Sequence, residues 1–139
     1  MRRKGARLAA SGSLRSLELI METLLAPGGC PWDRKQTHST LLKYLREEAG
    51  EVARAVRRKD WKNLEEELGD VLLQVVFHSA LARRAGRFRL SDVIRAVNSK
   101  MVRRHPHVFG GAALGTSGQV LRQWKKIKQA EKKGRRGGA

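Results

Sequence analysis

The sequence predicts an all-α fold, a helical bundle of about four to five helices. Two observations predict it. Apolar residues recur at helical spacing through five segments, and each segment is bounded by residues that start or stop helices. A third observation marks the centre. The stretch Leu41–Ala82 holds two such segments that meet at Asp60, each with acids at helical spacing beside an apolar stripe.

Ser13 is a suitable N-cap for the first helix, in which Leu14, Leu17, Ile20, Met21, Leu24 and Leu25 repeat. Pro27-Gly28-Gly29 ends it. The loop GGCPWDRKQTHS (28–39) follows, with a helix start near Thr37–Ser39. Trp32 in this loop is either a core plug, as general packing favours, or a platform on which a base stacks. The second helix runs from about Thr40 to Arg58, with Leu41, Leu45, Ala49, Val52 and Val56 on one stripe. At ~3.6 residues per turn, Glu47, Glu48 and Glu51 fan out from the edge of that stripe over roughly 100°. Asp60 caps the third helix, about Trp61 to Ala85, with Trp61, Leu64, Leu68, Leu72 and Val75 as its stripe and Glu67 and Asp70 off one edge.

If these helices pack antiparallel, their acidic edges face each other and four or five carboxylates converge beside the core. Partly burying such charges without partners costs several kcal/mol per ion, and a multivalent cation removes that cost. Spacing alone leaves a metal site and a solvated acidic face both open. Composition argues against the solvated face, because eight of the 13 acids lie within the 24 residues from Glu47 to Asp70. Oxygen ligands suit Mg²⁺, with Mn²⁺ as the alternative, rather than Zn²⁺. The later half of the third helix, Val71–Phe77, is apolar nearly all round and needs cover on more than one side. A chain of 139 residues has few other helices to supply it, so a homodimer built around this helix is expected. His78 beside that run is expected to be a satisfied core histidine.

Gly86 stops the third helix and Ser91 caps a fourth, with Val93, Ile94, Val97 and Met101 on its apolar face. It ends in Lys100-Met101-Val102-Arg103-Arg104, and Pro106 stops it. Cations at a helix C-terminus are favoured by the dipole alone; spaced over one turn they also suit a phosphate clamp. His105 and His107 lack a third ligand for zinc and are expected to order the loop or touch substrate. After a Gly/Ala/Ser/Thr linker, a last helix from about Gln119 to Lys133 sets Val120, Trp124, Ile127 and Glu131 on one side, with Trp124 as a docking anchor.

The net charge of +17 is concentrated in the ends. Residues 1–15 carry five basic residues and no acid, and residues 122–136 carry eight basic residues and Glu131. This balance suits a polyanionic partner, or it solubilises two poorly ordered tails. Residues 1–12 and 134–139 are expected to be disordered tails around one domain, 13–133. One cysteine, Cys30, and the absence of a long apolar run fit a cytoplasmic protein without a membrane span.

In order, GGCPWDRKQTH, REEAGEV, EELGDVLLQVVFHS and NSKMVRRHPHVFG resemble the MazG-type all-α nucleoside triphosphate pyrophosphohydrolases. The likeness spans about Leu14 to Lys133, and its core is EExxE followed by ExxD, met by Glu47, Glu48, Glu51, Glu67 and Asp70. The resemblance implies Mg²⁺-dependent hydrolysis of NTP or dNTP to nucleoside monophosphate and pyrophosphate, in nucleotide-pool house-cleaning. It implies metal held by Glu48, Glu51, Glu67 and Asp70, with Glu47 near the attacking water, and dimers or tetramers of a helical bundle. Lys100, Arg103 and Arg104 match the family's basic segment and are assigned to the phosphates. Trp32 and Lys35 match its loop motif and are assigned to the base or sugar. Relatives often carry an acid after the C-terminal Trp, where this chain has Lys125. From another class, the basic ends fit a nucleic-acid-binding helical module, or an enzyme tethered to nucleic acid by its tails.

Overall fold

A computed structural model describes residues 2–111 and 113–137. The described residues form eight helices and no strand: α1 (Arg2–Ala9), α2 (Leu14–Leu25), α3 (Pro31–Lys35), α4 (His38–Arg58), α5 (Trp61–Arg84), α6 (Leu90–Arg104), α7 (Pro106–Phe109) and α8 (Ser117–Gly137). The all-α class stands, but there are eight helices rather than four or five. The additional three are short. Two of them, α3 and α7, begin with a proline at the first helical position. Proline presets φ there and lacks only an N–H that would go unpaired anyway, so segments read as a loop and a stop each make a turn of helix. α1 lies in the stretch read as a disordered tail and has no buried residue.

The chain divides into two compact units, Met1–Ser91 and Asp92–Ala139. In the first, α4 and α5 form a helical hairpin. Lys59 takes the left-handed conformation (φ 55°) and closes α4, and the Asp60 carboxylate accepts from the Asn63 N–H to open α5. The N-terminus of α4 is held by a capping box, in which Thr37 and Thr40 satisfy each other's backbone N–H. Gly86, at φ 69°, supplies the left-handed residue after α5. α6 starts at Leu90, one residue before the expected cap, so Ser91 lies in its first turn.

The core of this unit is small: Met21 and Leu25 from α2, Leu41 and Ala55 from α4, Val76, Phe77 and Ala82 from α5, and Leu90. α2 is tied to α5 by the Arg83–Glu22 ion pair and by the Arg84 guanidinium, which donates to the Leu25 carbonyl. The stripe predicted for α5 is not the face that packs. Trp61, Leu68, Leu72 and Val75 are all exposed, as is Val56 on α4. The face bearing Val76, Phe77, Ser79 and Ala82 turns inward instead. Because α5 is apolar nearly all round there, its sequence offers two candidate faces, and contact with α2 chooses between them. Trp32 is not a plug: it is half exposed and meets the Tyr44 ring edge-on at 5.7 Å.

His78 is half-buried and pairs with His38 across the hairpin, Nδ1 to Nδ1 at 2.7 Å, with the rings stacked. Its Nε2 is buried and has no partner. A bare nitrogen lone pair is cheaper to leave unpaired there than an N–H, so the proton belongs on His78 Nδ1 and His38 accepts. Burial, and then the charge His38 would carry, holds His78 below its ordinary pKa.

In the second unit, α8 docks through its apolar side as expected. The Trp124 indole N–H donates to the Arg104 carbonyl at 2.6 Å, and its ring meets His105 edge-on. Glu131 accepts from Arg103 Nε at 2.8 Å and from Arg104 Nη2 at 3.0 Å. These bonds, Arg104 first, lower the Glu131 carboxyl to about 2. No described helix is long and apolar enough to cross a membrane.

Met21 and Leu41 are each 1% exposed. Truncating either to alanine removes buried methylenes and leaves a cavity, and is expected to cost about 2–5 kcal/mol. Denaturant unfolding of the two variants measures this, and a change below about 1 kcal/mol in both would rule out the core described.

Candidate metal-binding acidic site

The hairpin sets the site. An early α4 residue, His38, meets the late α5 residue His78, while Glu48 in the middle of α4 meets Glu67 and Asp70 early in α5. That is the register of antiparallel helices joined by a two-residue turn. On α5, Glu67 and Asp70 are three residues apart and share a side. One carboxylate oxygen from each of Glu48, Glu67 and Asp70 lies within 4.8 Å of the others. Glu48 and Glu67 are half-buried, while Asp70 is exposed.

The electrostatics follow from this crowding. The Glu48 carboxyl is pushed up to about 7, first by burial, then by a hydrogen bond with Glu67, then by the charges of Asp70, Glu67 and Glu51. A protonated Glu48, hydrogen-bonded to Glu67, partly relieves the repulsion. A hard divalent cation would relieve it more fully. The donor set, oxygen only and with its charges already brought together, fits such an ion and offers no soft ligand.

Of the four predicted metal ligands, the structure brings together three. Glu51 is turned toward Arg54, whose Nε donates to Oε2 at 3.3 Å and whose Nη2 donates to Oε1. This hydrogen bond, more than anything else, lowers the Glu51 carboxyl. Glu47 is exposed on α4. Trp32 and Lys35 lie exposed in α3 of the same unit. Lys100, Arg103 and Arg104 belong to the second unit, where Glu131 engages both arginines. A cleft of about 410 Å³ between α2 and the end of α5, lined by Leu25, Val76, Ala80 and Leu90 with Glu22 and Arg83 on its rim, contains none of the predicted site residues.

Sequence reading missed three partnerships. Arg54 for Glu51 was visible in principle, as a cation three residues on. His38 with His78, and Glu131 with the Arg103-Arg104 pair, join residues far apart in the chain, and no local spacing announces them.

An all-α domain whose central hairpin presents a carboxylate group suited to a hard cation is the class that this fold and site define. The chain belongs to the MazG nucleotide pyrophosphohydrolase domain family, whose profile matches residues 36–109. It is 53% identical over 113 residues to the nucleoside triphosphate pyrophosphohydrolase/pyrophosphatase MazG of Thermotoga maritima, covering 81% of this chain and 43% of that protein. It is 45% identical over 114 residues to the nucleoside triphosphate pyrophosphohydrolase of Escherichia coli, again covering 81% of this chain and 43% of the relative. The chain thus spans less than half the length of these curated relatives. The crystal structure of a mazG-related protein from Thermotoga maritima superposes with a TM-score of 0.70 at 34% identity, over 84% of this chain and 99% of that one.

The raised Glu48 carboxyl makes a signed prediction. A group whose folded-state pKa is raised contributes stability that is fully present below its unfolded value, here 4.5, and is lost as pH rises through about 7. In metal-free buffer, the melting temperature of wild type relative to Glu48→Gln is expected to fall between pH 5 and pH 8. Thermal melts of both across that range would show parallel curves if the carboxyl group were not strained.

Proposed function

We propose that the protein is a Mg²⁺-dependent nucleoside triphosphate pyrophosphohydrolase that cleaves the α–β phosphoanhydride to give the nucleoside monophosphate and pyrophosphate. The single observation that carries this reading is the convergence of Glu48, Glu67 and Asp70 across the α4–α5 hairpin, in a chain of this family. Glu48, Glu67 and Asp70 hold the ion, with Glu51 joining them. Mg²⁺, with Mn²⁺ as a substitute, supplies charge neutralisation of the triphosphate and a more acidic bound water. Glu47 stands beside the attacking water. Lys100, Arg103 and Arg104 take charge on the phosphates, which requires the phosphates to replace Glu131 at the two guanidinium groups. Trp32 offers a half-exposed face for the base and Lys35 a cation beside it. The catalytic body is residues 13–133, and nucleotide-pool house-cleaning is its role.

Release of pyrophosphate rather than orthophosphate from a panel of NTPs and dNTPs with Mg²⁺ tests the reaction. Glu51→Gln and Asp70→Asn are each expected to lower kcat/KM by at least about 100-fold while leaving the circular dichroism spectrum unchanged. Full activity in both variants would refute the metal assignment. The nucleic-acid-binding alternative gains support from α8, where Lys125, Lys126, Lys128 and Lys132 are exposed. Taken alone, it predicts salt-dependent binding that survives Glu51→Gln, with no turnover.

The assembly is a homodimer formed through α5. Leu68, Leu72 and Val75 form an exposed apolar strip along that helix, and such strips mark association surfaces. Leu72→Lys is expected to halve the mass measured by light scattering without unfolding the helices. A wild-type protein of monomer mass would dispose of this assembly.

A further inference from the structure

Glu51 stands outside the carboxylate group because Arg54 holds it. Both nitrogens on one edge of the guanidinium face both oxygens of the carboxylate, the forked arrangement in which arginine grips a carboxylate best. The guanidinium lies beside Gly50, where an added Cβ would be 3.8 Å from both Nη1 and Nη2. Arg54 also feels the charge of Glu67 on α5, and Glu51 feels Arg58 one turn further on. The edge of α4 therefore reads, in order, Glu48, Glu51, Arg54, Arg58. At 1.5 Å per residue, Arg54 lies about 4.5 Å and Arg58 about 10.5 Å along the axis from Glu51. Acids followed by cations match a ligand that carries a divalent ion at one point and unshielded phosphate oxygens beyond it.

We propose that Arg54 is an exchangeable counter-ion of this site: it holds Glu51 while no cation is bound, and it passes to the phosphate oxygens of the nucleotide when a divalent cation takes Glu51. The proposal rests on the metal–triphosphate reading above and adds a binding residue to it. Both Glu51 oxygens are engaged by Arg54, so a metal ion arriving alone competes with the guanidinium for the carboxylate. A guanidinium stays charged at any working pH, so once released it needs another anion, and the incoming polyphosphate supplies one. The exchange is unfavourable for the metal alone and nearly balanced for the metal–nucleotide complex. Arg54 thereby couples the two ligands, discriminating against the free ion.

The test compares wild type, Arg54→Ala and Arg54→Lys in two titrations. In the first, Mn²⁺ alone is followed by the loss of its free electron-paramagnetic-resonance signal. In the second, the preformed complex of Mn²⁺ with inorganic tripolyphosphate is followed by calorimetry. Arg54→Ala is expected to bind Mn²⁺ alone about fivefold more tightly than wild type, since an exposed ion pair no longer competes. It is expected to bind the complex about tenfold more weakly. Arg54→Lys, with the charge but not the fork, falls between the two in both titrations. The opposite directions matter, because simple loosening of α4 would move both affinities the same way. Arg54 is largely exposed, so the variants keep the wild-type melting profile. If wild type binds Mn²⁺ and Arg54→Ala binds it no more tightly, or binds the complex equally well, the counter-ion role is overturned and the metal site stands. If wild type binds no Mn²⁺ at all, the metal reading falls and the proposal falls with it.

Discussion

Like charges brought together across one helical hairpin are the constraint around which the rest of the first unit is arranged. Glu48 would separate from Glu67 and Asp70 if α4 and α5 were free to slide. They are not free, because the two-residue turn at Lys59-Asp60 joins the helices at one end and the stacked His38–His78 pair joins them near the other. Between those ties Leu41, Ala55, Val76 and Phe77 are buried. Burial of apolar surface, worth roughly 25 cal/mol per Å², holds the carboxylates at a distance they would not choose. The cost shows in Glu48, whose carboxyl retains its proton up to about pH 7.

Counter-charges elsewhere show how the remaining acids are managed. Glu51 is matched by Arg54 within α4, Glu22 by Arg83 between α2 and α5, and Glu131 by Arg103 and Arg104 within the second unit. In a chain with 30 basic residues and 13 acidic ones, a cationic partner is easy for any acid to find. Glu48, Glu67 and Asp70 are instead gathered with one another. The Glu131 pairing also means that α8 does more than dock through Trp124. It also orders Arg103 and Arg104 through Glu131. An anion displacing Glu131 would exchange one set of charge-assisted hydrogen bonds for another.

Much of this was legible in the chain itself. The caps at Ser13 and Asp60 and the stop at Gly86 stand where local chemistry put them, because a cap depends on three or four consecutive residues. The all-α class and the family were equally plain, since helical periodicity and motif order are properties of the string. Trp32 and the α5 stripe were misjudged for one reason. Hydrophobicity says that a side chain prefers cover, but not whether this fold supplies it. The sequence places Pro31 in a loop and makes Pro106 a stop, yet each sits at a position a helix tolerates.

By itself the sequence determined the caps and stops of the central helices, and which acids lie on which helical edges, because these follow from neighbours within a turn or two. Tertiary structure alone decided which face of α5 turns inward and which acid of α4 meets Glu67 and Asp70. Those outcomes are differences between competing contacts of similar free energy. They are settled only when α2, α4 and α5 are all in place.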